Sequence, residues 1–143
     1  MKLGVLTNLL ADRPFADAVA YLKSLGVEAL EIGCGGYPGK AHCDPEILLN
    51  DDAKLEEFKK IIADAGMVID ALSAHGNPVH PNKEIAAQFH KDFENCVLLA
   101  EKLGVKTVVT FSGCPGDSKS AKYPNWVTCP WPEDFLAILD WQW

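Results

Sequence analysis

Apolar residues recur at helical spacing in three stretches of the chain, and each stretch closes on a glycine. In "PFADAVAYLKSL", Phe15, Val19, Leu22 and Leu25 share one face, with Pro14 tolerated in the first turn. Gly26 then supplies the left-handed residue that ends the helix. In "DDAKLEEFKKIIADA", Leu55, Phe58, Ile62 and Ala65 repeat the device before Gly66, with Asp51 and Asp52 at the positive end of the helix macrodipole. In "KEIAAQFHKDFENCVLLAEKL", Ile85, Phe89, Phe93, Cys96, Ala100 and Leu103 form the stripe before Gly104, and His90 falls off it as a solvated surface residue. The three glycines stand 40 and then 38 residues apart. After each comes a short β-prone run, "VEALEI", "MVIDALS" and "VKTVVTF", and "KLGVLT" opens the chain.

Strands alternating with helices at a fixed period imply parallel βα units with right-handed crossovers. The expected strands lie near residues 2–7, 27–32, 67–73 and 105–111. A fourth helix starts at "PEDFLAILDWQW", where Phe135, Leu136 and Leu139 begin an apolar face, and the sequence stops there without a capping glycine, a basic last turn or a polar tail. The expected fold class is therefore α/β, with parallel βα repeats forming the first half of a (β/α)8 barrel truncated within a helix. The whole chain, 1–143, is one partial domain of about four βα units. The competing architecture is a complete four-stranded open sheet, which leaves its first and last strands with unprotected edges.

Composition changes this picture little. A chain of 143 residues suits one domain, and 48% apolar with 23% charged residues describes a folded globular protein. Twenty acidic residues against thirteen Lys and Arg leave a charge of −7 and no basic stripe, which argues against a nucleic-acid partner. The cysteines at 34, 43, 96, 114 and 129 are odd in number and form no CxxC pair, so they read as reduced thiols of a cytoplasmic protein. Thr7 and Asn8 interrupt the apolar start that a signal peptide needs, and no segment approaches a membrane span in length.

In parallel α/β folds the chemistry gathers in loops at the carboxyl ends of the strands. Here those loops are "TNLLADRP", "GCGGYPGKAHCDPEILLN", "AHGNPVHPN" and "SGCPGDSKSAKYPNWVTCPWP", two of them far longer than usual. Prolines stiffen them, and Tyr37, Trp126 and Trp131 can wall a pocket. The polar set expected at that face is Asn8, Glu31, His42, His75, Asn77, His80 and Ser112, with Trp126 beside it, which suits a polyhydroxylated ligand. Glu31 is either a mouth residue or an ordinary half-exposed strand residue. His75 ends a strand and is favoured for the pocket, while His80 lies past the turn and either joins it or bonds the loop. Zinc on Cys34, His42, Cys43 and His75 lacks the close ligand spacing of a structural finger. "SGCPGDSKS" lacks the order of a phosphate loop, so Gly113 and Gly116 serve a tight turn. Cys114 has no identifiable base to make it a nucleophile.

Taken together, "ALEIG", "SAHGNPVHP", "LAEKLGVKTVVTFSGCPG" and "NWVTCPWPEDF" resemble the sugar phosphate isomerase/epimerase family with the xylose isomerase-like TIM-barrel fold. The resemblance runs over essentially the whole chain and implies the amino-terminal half of a barrel about twice as long. It implies aldose–ketose isomerisation or epimerisation beside a carbonyl of a small sugar or sugar phosphate. It also implies a divalent metal (Mn, Mg, Co or Zn) held by Glu, Asp and His on strands five to eight, where the acid/base carboxylate is expected too. This half is then expected to supply substrate contacts and to bind no metal tightly. Metal ligation by His75 is the minority reading, tied to the endonuclease IV branch, against which the acidic charge counts. The alternative is a non-catalytic half-barrel that self-associates as a homo-oligomer.

Overall fold

The structure, a computed structural model, describes residues 1–116 and 118–124. Four strands form one parallel sheet in the order β1-β2-β3-β4: β1 Gly4–Leu6, β2 Ala29–Gly36, β3 Val68–His75 and β4 Val108–Val109. Between them run α1 (Phe15–Ser24), α2 (Pro45–Asn50), α3 (Asp52–Asp64) and α4 (Lys83–Leu103), with a short 3-10 turn at Thr7–Leu10. Parallel neighbours in chain order, each reached through a helix, match the alternating pattern of the sequence. The chain is an α/β protein with the strand order of a partial TIM barrel.

The glycine period has a structural cause. Gly26, Gly66 and Gly104 all take positive φ, at 80°, 63° and 71°. In each case the next residue's N–H reaches back five residues, Val27 to Leu22, Met67 to Ile62 and Val105 to Ala100. This is the Schellman closure, which satisfies the last helical carbonyls and turns the chain into the next strand. At the other ends, Asp51 accepts from the Lys54 N–H and Asn82 from those of Glu84 and Ile85, capping α3 and α4.

Leu30, Ile32 and Cys34 of β2 and Leu72 and Ala74 of β3 turn toward the helices, where they meet Val19, Leu22, Leu55, Phe58, Ile62, Cys96 and Leu99. Alternation along the strands places Glu31 and His75 on the opposite face, the side that would line a barrel. Two expectations for helix faces are corrected. Leu25 is exposed because α1 ends at Ser24 and Leu25 belongs to the turn. Ile85, in the first turn of α4, lies beside the loops rather than over the sheet, and Ala86 is the buried residue of that turn. The second connection is also more ordered than a plain loop. β2 runs on to Gly36, and Asp44, accepting from the Glu46 N–H ahead of Pro45, starts α2.

Candidate functional site

At the carboxyl end of the sheet, His75 Nε2 lies 4.0 Å from Glu31 Oε1. That is too long for a hydrogen bond, and the buried His75 Nε2 has no partner among the described residues. Two further buried groups at these strand ends are in the same state: Thr7 Oγ1, directly after β1, and Ser73 Oγ, two residues before His75 on the same strand face. Both residues are almost fully buried, at 1% and 0% exposed. Unpaired buried polar atoms are costly and rare, so their gathering at one sheet end makes it a candidate site. Thr7 and Ser73 were not among the residues read from the sequence. The signal was present in Ser73, which shares the alternation of His75.

The other candidates divide. His42 donates from Nε2 to the Arg13 carbonyl at 3.0 Å, leaving buried Nδ1 unpartnered. With Thr7, Asn8, Gly33 and Pro38 it borders a small cleft, and Asn8 Oδ1 is unpartnered there too. Asn77 is wholly buried and clamps two loops together: its Nδ2 donates to the Cys114 carbonyl and its Oδ1 accepts from the Cys114 N–H, both at 2.8 Å. The Nδ1 of His80 accepts from the Asn82 N–H at 2.9 Å, next to an open cleft shared with Ile85, Lys122 and Tyr123. Ser112 lines a separate cleft of about 210 Å³ against Phe89, His90 and Phe93 of α4. Trp126 and the helix expected from "PEDFLAILDWQW" lie outside the described residues. The structure thus joins Glu31 to His75, and Asn8 to His42.

Asp92 is a third residue missed from the sequence, concealed by the pattern of α4. It is buried on the face of Cys96, four residues on, and binds Lys40 Nζ at 2.8 Å, the Gly36 N–H at 3.0 Å and Gln88 Nε2 at 3.1 Å. Burial alone would raise its carboxyl pKa, but the bonds from Lys40 and the Gly36 N–H outweigh it and hold the group below the usual carboxylate range. Gly35 has to be a glycine here, since a Cβ would stand 2.7 Å from that of Asp92. The ion pair therefore staples the long second loop to α4.

Cys34 and Cys43 approach to 3.4 Å within the core. The mutual bond with Cys43 and burial push the Cys34 thiol well up, and contact with Cys34 and burial do the same to Cys96, so both stay protonated. Cys34 faces the helices while His75 faces the other way, which separates the ligands of the zinc reading. Glu31 and His75 offer two donors, fewer than the three protein ligands of a catalytic zinc. Among the described residues no group of three or more His, Cys, Asp or Glu is placed to hold a metal. These residues alone do not fit a complete metal site.

A family model described as "Xylose isomerase-like TIM barrel" matches residues 19–134. The chain belongs to that family. The uncharacterized protein YfiH of Bacillus subtilis (strain 168) is 34% identical over 146 residues, a match covering 100% of this chain and 46% of that protein. The chain thus spans about half the length of the curated relative it matches. Among solved structures, the apo form of 3-keto-D-glucoside 4-epimerase, YcjR, from E. coli superposes with a TM-score of 0.53 at 20% identity, over 76% of this chain and 36% of that one. At that identity the likeness carries the fold. Among the described residues no helix is long and apolar enough to cross a membrane.

Proposed function

We propose that this chain supplies the amino-terminal half of the substrate site of a sugar or sugar-phosphate isomerase or epimerase. The observation that carries the reading is the Glu31–His75 pair on the sheet face turned away from the helices, His75 ending β3 and Glu31 level with the end of β1: 4.0 Å apart, unable to satisfy each other, and close enough for one ligand hydroxyl to bond both. Its place is where barrels of this kind keep their chemistry. The family match and the fold shared with an E. coli sugar epimerase support the substrate class. In this reading His75 and Glu31 orient hydroxyls beside the reacting carbon, and Thr7 and Ser73 complete the polar floor. The divalent metal and the proton-moving carboxylate belong to a carboxyl-terminal half, in keeping with a relative about twice as long.

The test is turnover of a panel of ketoses, aldoses and their phosphates, with manganese added, by the longer parent protein and its His75→Ala variant. Loss of roughly 100-fold in kcat/KM is expected for a residue that positions substrate at the reacting centre. An unaffected variant would remove His75 from the site. A second reading, a half-barrel that closes by pairing with another copy, draws on one observation: within the described residues β1 and β4 each have a single neighbour.

A further inference from the structure

Among the described residues nothing bonds His75 Nε2, which stands 4.0 Å from Glu31 Oε1. The torsion that turns an imidazole about its Cβ–Cγ bond is broad and two-fold, so a hydrogen bond is not what sets this nitrogen's direction. The ring is met instead by Phe111. The two rings lie stacked, with centroids 4.7 Å apart and 14° between their planes, a separation within the favourable range for offset aromatic pairs. Swinging the imidazole out of its plane breaks that contact. Backbone bonds beside both rings keep them face to face: Thr110, one residue before Phe111, donates from Oγ1 to the Ala74 carbonyl at 3.0 Å, and the Tyr37 N–H donates to the His75 carbonyl at 2.7 Å. Phe111 also borders, with Phe89 and Phe93, the cleft of about 210 Å³ against α4.

A freely turning imidazole gives up its motion when a hydroxyl arrives, whereas one already held loses little, and small misplacements at a reacting centre are costly. We propose that Phe111 is a positioning residue of this site: stacked on His75, it holds the imidazole in the plane that carries Nε2 toward Glu31, so that a ligand hydroxyl meets a ring already oriented. The inference rests on the sugar-site reading above and adds what orders its histidine. Phe111 acts through His75 and takes no part in moving protons.

The first experiment needs no ligand: ¹³C relaxation of the His75 ring C–H bonds in the 143-residue chain, read as order parameters. A value of about 0.85, that of rigid backbone, is expected for the wild type, falling below about 0.6 in Phe111→Leu and returning in Phe111→Tyr. Circular dichroism should be the same in all three, since Phe111 is 42% exposed, and Phe111→Met is a second ringless variant should the leucine one fail to fold. A mobile wild-type ring, or ringless variants as rigid as the wild type, overturns the inference. The second experiment is the turnover assay on a protein that carries the carboxyl-terminal half as well, where Phe111→Leu is expected to lower kcat/KM roughly tenfold and Phe111→Tyr to recover most of it. Turnover lost in His75→Ala but untouched by Phe111→Leu overturns the positioning role and leaves the site standing. Turnover untouched by either removes His75 from the site, and this inference falls with it.

Discussion

Asp92 shows how much one side chain can organise. Its carboxylate receives Lys40, Gln88 and the Gly36 N–H, so the loop that carries Tyr37 is fixed from α4. Because the folded pKa is depressed, the stabilisation is fully present above the unfolded Asp value of about 3.9 and is lost as pH falls through the lower folded value. For Lys40, burial alone would lower the pKa, but the bond to Asp92 outweighs it and the net shift is upward. Its contribution therefore persists below the unfolded Lys value of about 10.4 and fades above it. Between roughly pH 4 and 10, Asp92→Asn is expected to unfold at a lower temperature than wild type, and the gap should close on acidification below about pH 4. Thermal melts of both proteins across pH check this. A gap that stays constant into acid would show that the charge of Asp92 is immaterial.

At the scale of elements, the site depends on loops held in place by buried polar bonds. The turn after β3 is joined to the segment after β4 by Asn77, which gives and takes a hydrogen bond with the Cys114 backbone. Asn77→Ala removes both bonds in a buried place and is expected to cost roughly 1–3 kcal/mol per backbone group affected, measured by denaturant unfolding. Asn77→Asp keeps an acceptor for the Cys114 N–H but sets a buried carboxylate against the Cys114 carbonyl, and should cost at least as much near neutral pH. A loss under about 0.5 kcal/mol in the alanine variant would place the clamp outside the cooperative core. The capping glycines are a different kind of device. They make the helix ends sharp, so each strand begins at a fixed point and alternation puts Glu31 and His75 on one face of the sheet.

For the molecule as a whole, the described residues bring together a polar pair, Glu31 and His75, without a set of three or more metal donors. On the reading proposed above, the 143-residue chain by itself is expected to show no appreciable sugar isomerase activity and to bind manganese weakly, and a protein that carries the carboxyl-terminal half as well is expected to turn over sugars. Steady-state assays and metal titration of both, with size-exclusion chromatography of the isolated chain, check this expectation. Robust metal-dependent turnover by the isolated chain would overturn the view that the essential ligands lie elsewhere. Turnover accompanied by a doubled apparent mass would favour the paired half-barrel.

Periodicity by itself determined the four parallel strands, α1, α3 and α4 between them and the glycines that end those helices, because each is a local property: spacing of apolar residues, a cap, a left-handed turn; the short α2 was read as loop. The end of β3 at His75 was also legible; Glu31 was expected at a strand end, but β2 runs on to Gly36, and it is alternation that puts Glu31 on the face of His75. Tertiary structure alone decided which polar residues are occupied and which are unpaired. Asn77 and His80 sit in the same short motif as His75, yet Asn77 bonds across 37 residues to Cys114 and His80 bonds the adjacent Asn82 N–H, while His75 Nε2 stays open. Asp92 looked like one more polar residue of a long helix. Only the approach of Gly35, Gly36 and Lys40 from 52 or more residues earlier in the chain made it the anchor of a loop. Such pairings depend on contacts between distant segments, and residue spacing along one segment carries no record of what will be packed against it.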